Sequence, residues 1–339
     1  MVEAQSHTKP SSPEEEEESF TPPTLPKREA WLTACAISQF QGCWLGPEVS
    51  KSVALVQAYF QPRPDDIILA TYPKCGTTWL KALAFAIANR SRHAVGGGDD
   101  DHPLLTHLPH ALVANLEFPL RHHHSVTELE TLPSPRLLCT HLPEQLLPSG
   151  VSGLGCRIVY LCREPKDVLV SMWHYMNKVY PDCFTEFDRA FELFCEGVSI
   201  YGPVWDHYLG YWKRSVAEPN RVLFLKYDDM MADPANHVRM LAEFIRAPFT
   251  PEEESSGMVE DIVKLCSFQN LKKLPVNSSG VTDPVGGLVI ENSVFFRTAK
   301  VGDWENHMTE EMAEKLDSVI EEKLGGSGLT FKTDEVCHV

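Results

Sequence analysis

The chain has 339 residues, 43% apolar and 23% charged, which is the make-up of a globular protein and not of a disordered or membrane-spanning one. Its formal net charge of −17 repels a phosphate backbone, which argues against a nucleic-acid partner; a small anion can bind only where local cations and backbone N–H groups overcome the overall field. The ten cysteines lack a C-x-x-C pair and read as reduced thiols, and the start shows no secretory signal, so the expected setting is cytoplasmic.

Residues 1–27 are rich in Pro, Ser and Glu and read as a disordered acidic tail. A single domain is expected over 28–332, followed by a short tail at 333–339. In "REAWLTACAISQFQGCWLGPEVSKSVALVQAYF" aromatic and aliphatic residues recur at helical spacing, which predicts helix there. Further on, short apolar runs each end abruptly in one polar residue: "DDIILATYP" at Lys74, "RLLCTH" at His141, "RIVYLCR" at Arg163 and "RVLFLKY" at Tyr227. None alternates strictly, as expected of strands covered on both faces. The helical stretches "TTWLKALAFAIAN", "PKDVLVSMWHYMNKVY" and "HVRMLAEFIR" separate them. The longest apolar run, Trp79 to Ala88, is broken by Lys81 and too short to cross a bilayer, so no membrane partner is expected. The pattern predicts an α/β fold, a central parallel sheet with helices on both faces, whose strand ends converge on one crevice. Two loops interrupt it, at 94–103 and 274–287, the second long enough to suggest a functional role.

The first strand–helix turn, "TYPKCGTTWLKAL", has the elements of a phosphate cradle. Gly76 permits a sharp bend, the helix start offers unpaired N–H groups, Thr77 and Thr78 add hydroxyls, and Lys74 adds a mobile charge. The order differs from G-x-x-x-x-G-K-[ST], and a plain turn with a surface lysine and a threonine cap is the alternative. Arg163, with Ser171 two turns into the next helix, forms a second anion candidate; pairing of Arg163 with Glu164 or Asp167 is its alternative. His141, held between a strand and Pro143, is placed to take a proton from a hydroxyl. His122 to His124 read as a solvated cluster rather than a metal site, and His174 as a packing residue.

In "YPKCGTTWLKAL", "THLP", "RIVYLCREPKDVLVSMWHY", "KYDDM", "LCSFQNL" and "FFRTAKVGDWENHMT", taken in order, the chain resembles the plant-type cytosolic sulfotransferases over roughly residues 45–325. The resemblance implies a P-loop-like fold without a metal, the donor 3′-phosphoadenosine 5′-phosphosulfate (PAPS), and transfer of its sulfuryl group to an acceptor hydroxyl. Lys74, Cys75, Gly76, Thr77, Thr78 and Trp79 would then hold the phosphosulfate end, with Trp79 also flanking the adenine. Arg163 and Ser171 would clasp the 3′-phosphate, Tyr227 would lie by the nucleotide, and His141 would be the base. Cys75 would pack or offer its backbone N–H.

One stretch departs from the family pattern, which usually has R-K-G before the G-D-W. The resemblance implies that Arg297, Thr298 and Ala299 cover the 3′-phosphate, but with Thr298 and Ala299 after Arg297 a cation and a glycine are missing, so that either donor affinity is reduced or Lys300 partly substitutes. The acceptor is expected to be a small apolar metabolite with a hydroxyl, flavonoid, steroid-like or otherwise phenolic or alcoholic. It would be bound by "AWLTACAISQFQGCWL", "LVANLEFPL", "VYPDCFTEF" and the loop at 274–290. The oligomeric state stays open. Two rivals remain: a P-loop kinase using ATP and Mg²⁺, with Asp228 or Asp229 on the metal, and a catalytically weak nucleotide-binding or metabolite-binding homologue.

Overall fold

The computed structural model describes residues 27–29, 36–95, 101–117, 126–182, 185–283 and 289–331. The expected acidic tail up to residue 26, the run His122 to His124 and the chain after 331 lie outside the described residues, as do parts of both expected loops.

Ten strands are described: β1 (Lys27–Glu29), β2 (Ala36–Phe40), β3 (Cys43–Leu45), β4 (Ile67–Thr71), β5 (Ala114–Asn115), β6 (Leu137–Thr140), β7 (Arg157–Cys162), β8 (Val222–Lys226), β9 (Val281–Thr282) and β10 (Ile290–Glu291). Five of them form the central sheet in the order β5-β6-β4-β7-β8, every neighbouring pair parallel. The main helices are α1 (Pro47–Tyr59), α2 (Thr77–Asn89), α3 (Pro165–Val179), α4 (Phe187–Cys195), α5 (Val204–Ala217), α6 (Pro234–Phe244), α7 (Met258–Leu265) and α8 (Glu310–Leu324).

The absence of alternation in the strands has its expected cause. Along β4, Ile68 and Ala70 enter one apolar core while Ile67 and Leu69 enter the other; along β7, Ile158, Tyr160 and Cys162 are set against Val159 and Leu161. Successive side chains point to opposite faces, and both faces are covered. Helix α2 is almost wholly apolar because Leu80, Leu83, Ala84 and Ile87, at helical spacing, pack into the second core. Pro165 occupies the first turn of α3, where a missing N–H costs nothing, and the Glu164 side chain accepts the Lys166 N–H at 3.3 Å.

The helical expectation for the first ordered stretch holds only for α1. Residues 36–45 instead form an antiparallel hairpin, β2 with β3. Its two-residue turn is Gln41-Gly42, with φ of 48° and 87°, the left-handed pair that matches strand twist. The loop at 274–287 contains a short helix, Pro275–Ser278, and strand β9, which pairs antiparallel with β10.

The topology sets the site. From β4 the chain builds β5 and β6 on one side, then crosses to β7 and β8 on the other, so the order reverses at β4. Ligands bind at the carboxyl ends of strands where such a reversal opens a crevice. His141 directly follows β6, Arg163 follows β7 and Tyr227 follows β8, while Lys74 lies three residues beyond β4.

Candidate active site

Between β4 and α2 the chain makes a compressed turn. Lys74 and Gly76 both take left-handed backbone, at φ 71° and 101°. For Lys74 this conformation costs about 1–2 kcal/mol, strain that native structures concentrate at functional sites. A Cβ at Gly76 would lie 2.8 Å from Cδ2 of Tyr227, so glycine is required both by backbone angle and by space. Gly76 caps α2 without any side-chain bond, which leaves the first-turn N–H groups to a ligand or water. The hydroxyls of Thr77 and Thr71 are hydrogen-bonded at 2.7 Å.

Lys74 forms no ion pair among the described residues. Its ammonium lies 4.1 Å from the centre of the Tyr175 ring. Burial, with Arg297, Arg163 and Lys178 nearby, lowers its pKa to about 7. Cys75 is turned away: its thiol contacts the Tyr208 hydroxyl at 3.3 Å, its N–H donates to Tyr72 O at 3.2 Å, and burial pushes the thiol up to about 12. It packs, and neither its sulfur nor its N–H is available to an anion.

At the neighbouring strand end, Arg163 makes the structural pairing weighed in the sequence and lines the cavity as well. One amino group donates to Asp167 Oδ2 at 3.0 Å and to the Lys300 carbonyl at 2.6 Å, while Nε is buried without a partner. Glu164 pairs with Lys166 instead. The guanidinium lies 4.7 Å from the Tyr227 ring centre, and Trp79 meets the same ring edge-on at 5.6 Å. Trp79 both lines the cavity and packs on the second core.

The 297–304 loop closes over this end through its backbone. Asp167 accepts the Gly302 N–H at 2.9 Å and the Trp304 N–H at 3.0 Å, and the Tyr227 hydroxyl donates to the Ala299 carbonyl at 3.3 Å. Arg297 pairs with Asp303, its Nε buried and unpartnered. Ala299 takes φ 54°, a left-handed conformation that suits glycine. The Lys300 side chain is exposed and does not line the cavity. What the site takes from this residue is its carbonyl.

His141 is fixed from three directions. Its Nδ1–H donates to the Thr71 carbonyl at 2.8 Å, which leaves Nε2 as the basic nitrogen. Its backbone N–H donates to the buried carboxylate of Glu117 at 2.6 Å, and the Thr140 hydroxyl donates to the same group at 2.8 Å. Its carbonyl accepts Nε2–H of His207 at 2.9 Å, and the Tyr160 hydroxyl donates to His207 Nδ1 at 2.7 Å. Burial lowers the His141 pKa to about 4, Lys81 and Lys74 adding to the effect against the Thr71 hydrogen bond, so the ring is neutral near pH 7.

Of the site residues expected from the sequence, all but Cys75 line one cavity of about 1370 Å³: Lys74, Gly76, Thr77, Thr78, Trp79, His141, Arg163, Ser171, Tyr227, Arg297, Thr298 and Ala299. Each stretch proposed for the acceptor contributes, through Ile37, Ala114 and Asn115, Tyr180, and Val281 to Asp283. Among the lining residues that escaped the sequence reading are Lys81, His110, Tyr175 and Lys178. His174, expected to pack, lines the cavity too, and burial beside Arg297 lowers its pKa to about 4. A signal for three of these existed: His174, Tyr175 and Lys178 follow Ser171 by three, four and seven residues, one face of α3.

The chain matches the family model described as a sulfotransferase domain over residues 64–328. It is 46% identical to cytosolic sulfotransferase 5 of Arabidopsis thaliana over 303 residues, covering 88% of this chain and 92% of that protein. It is 44% identical to a flavonol 4′-sulfotransferase of Flaveria chlorifolia over 296 residues, covering 87% and 90%. Among solved structures, a candidate steroid sulphotransferase of Arabidopsis thaliana superposes with a TM-score of 0.70 at 38% identity, covering 91% and 93% of the two chains. A mouse sulfotransferase in complex with PAP does so at 0.67 and 25% identity, covering 86% and 95%.

Proposed function

The chain belongs to the sulfotransferase family, and on that premise we propose that it transfers the sulfuryl group of PAPS to a hydroxyl of a small apolar metabolite in the cytosol, with His141 as the general base. A flavonoid, a steroid-like molecule or another phenol or alcohol fits the apolar lining contributed by Ile37, Leu129, Leu132, Met176 and Val294. The relatives named for flavonol and steroid activity point the same way.

One observation carries the proposal. Thr71 joins the anion cradle to the base, its hydroxyl bonded to Thr77 and its carbonyl to His141 Nδ1, so that cradle and imidazole open on the same cavity. The cationic residues also suit a ligand with two phosphate groups. Arg163 Nε and Arg297 Nε are buried donors without acceptors, and Lys74 has an aromatic face but no anion. An unmet buried donor costs about 1–3 kcal/mol, and a phosphate oxygen would satisfy it.

In this scheme the first-turn N–H groups of α2 and Lys74 hold the 5′-phosphosulfate, and Arg163, Ser171 and Arg297 hold the 3′-phosphate. His141 Nε2 takes the proton of the acceptor hydroxyl as its oxygen bonds to sulfur. The bond from sulfur to the phosphate oxygen breaks, and Lys74 stabilises the negative charge that remains on that phosphate. The residues thus align two reactants and stabilise a leaving group.

The kinase alternative is weaker, because neither Asp228 nor Asp229 lines the cavity. Sulfuryl transfer that persists in EDTA would dismiss it. The decisive experiment incubates the purified protein with labelled PAPS and a panel of plant phenols and sterols. His141→Ala should lower turnover by about 10²–10⁴ and leave PAP affinity within a few-fold of wild type. Loss of PAP binding in that variant, or no transfer to any acceptor by the wild type, would count against the assignment.

A further inference from the structure

We propose that His110 reads a second hydroxyl on the acceptor, so that phenols carrying two hydroxyls are preferred to those carrying one. The inference depends on the proposed activity, since it takes the apolar part of the cavity to be the acceptor site.

His110 follows the proline that starts a short helix, Pro109–Leu112, and its half-buried ring lines the cavity. Phe295 stacks on it with centroids 4.3 Å apart and planes 29° from parallel. Phe295 in turn lies 6.0 Å from Tyr175, the ring that carries Lys74, so a continuous aromatic wall runs from His110 to the cradle. His110 is therefore held in position by stacking, and its polar atoms take no part in that contact.

Those polar atoms have no protein partner. Neither ring nitrogen hydrogen-bonds a described residue; Nδ1 is closed off from water and ligand alike, and Nε2 is the one open to the cavity. His207 uses both nitrogens and His141 uses Nδ1 on Thr71, whereas His174 Nε2, at the Arg297 end of the cavity, is unpartnered like His110 Nδ1. Asn115, the polar neighbour along the same wall, has its Oδ1 taken by the Glu117 N–H at 2.9 Å. An imidazole fixed by stacking in the apolar wall, with Nε2 open to the cavity and bonded to no described residue, marks a place for a polar group of the ligand.

The chemistry narrows what that group is. Burial, with Lys81, His141 and Lys74 near, holds His110 well below the ordinary histidine range, so the ring is neutral and offers one donor and one acceptor. Of the two nitrogens only Nε2 is open to the cavity, and a hydroxyl suits it in either tautomer because it both donates and accepts. A carboxylate could bond Nε2 only in its N–H form.

Calorimetry on the protein loaded with PAP tests this without turnover, using 7-hydroxyflavone and a set of dihydroxyflavones that keep that hydroxyl. The wild type should bind at least one dihydroxyflavone about five- to tenfold more tightly than 7-hydroxyflavone, the span of one net hydrogen bond. His110→Phe, which keeps the stacking surface, should erase the difference while holding 7-hydroxyflavone within about twofold, and His110→Gln should restore part of it. If His110→Phe does not fold, His110→Leu serves for the same comparison. The proposal is overturned if the wild type fails to discriminate, if the apolar variants still discriminate, or if they lose both ligands equally. A protein that discriminates but transfers no sulfuryl group would sink the transferase assignment alone, and one that transfers without discriminating would sink this proposal alone.

Discussion

The Lys74 ammonium rests 4.1 Å from the centre of the Tyr175 ring, in a pocket that also holds Arg163, Arg297 and Lys178 and gives it no carboxylate. An aromatic face is a weak partner for a cation, worth about 0.5–2 kcal/mol, and three like charges oppose it. Burial first, and then these like charges, depress its pKa. An arriving phosphosulfate reverses this balance, because it is the missing anion.

The first prediction is that nucleotide binding takes up a proton. Above pH 7 the free protein carries Lys74 mostly neutral, whereas the bound form needs it charged, so affinity should fall as pH rises through about 7. The limiting slope is about tenfold per pH unit, and titrations in buffers of different ionisation enthalpy should show up to one proton absorbed per PAP. Lys74→Met should remove the proton uptake and flatten the profile. A wild type whose PAP affinity is constant from pH 6 to pH 9 would contradict this account of Lys74.

His141 sets the opposite limb. A general base works only when unprotonated, and burial holds its pKa at about 4. The value of kcat/KM for the donor, which reports groups of the free enzyme, should hold down to about pH 5 and fall only as pH approaches 4, well below the ordinary histidine value. An acid limb centred near pH 6.5 would indicate a solvated imidazole instead.

The sequence exposed the four strand ends because each places its polar residue against a buried apolar run, a contrast that survives without coordinates. The hairpin at 36–45 was hidden because its strands are short and its apolar residues also match helical spacing; only Gln41-Gly42 marked the turn. Glu117 and His207 were not legible either. Both act on the backbone of His141 from a distance, Glu117 from the segment just after β5 and His207 from α5, and nothing in their local spacing distinguishes them from other residues. The 297–304 loop is similar, since Lys300 and Ala299 act through carbonyls that any residue would supply. Its one readable signal was the pair of residues standing where a cation and a glycine are expected.

That pair yields a third prediction. Ala299→Gly relieves a left-handed alanine, a gain of about 1–2 kcal/mol partly offset by about 0.4–1 kcal/mol of added unfolded-chain entropy, so a small net stabilisation is expected. Thr298→Lys adds an exposed cation at the cavity edge, and the double variant should bind PAP about two- to fivefold more tightly at low salt. The gain should shrink as salt is raised. Unchanged affinity at low salt would mean that the loop contributes through its backbone alone.

The fourth prediction concerns Gly76. An added methyl would sit 2.8 Å from Cδ2 and 3.1 Å from Cε2 of Tyr227, and 3.2 Å from Leu161. The ring cannot easily retreat, with Arg163 over one face, Trp79 at its edge and its hydroxyl on the Ala299 carbonyl. Gly76→Ala therefore combines the left-handed backbone cost of about 1–2 kcal/mol with overpacking of about 1–3 kcal/mol. Denaturant midpoints should show a loss of about 2–5 kcal/mol, and PAP affinity should drop at least tenfold because the cradle N–H groups shift with the turn. Steric conflict with one ring makes the penalty conditional on that ring. In a Tyr227→Leu background the same substitution should cost only the backbone part, so the two changes should be non-additive by about 1 kcal/mol or more. Strictly additive losses would show that the backbone angle alone demands glycine and that the contact with Tyr227 imposes nothing.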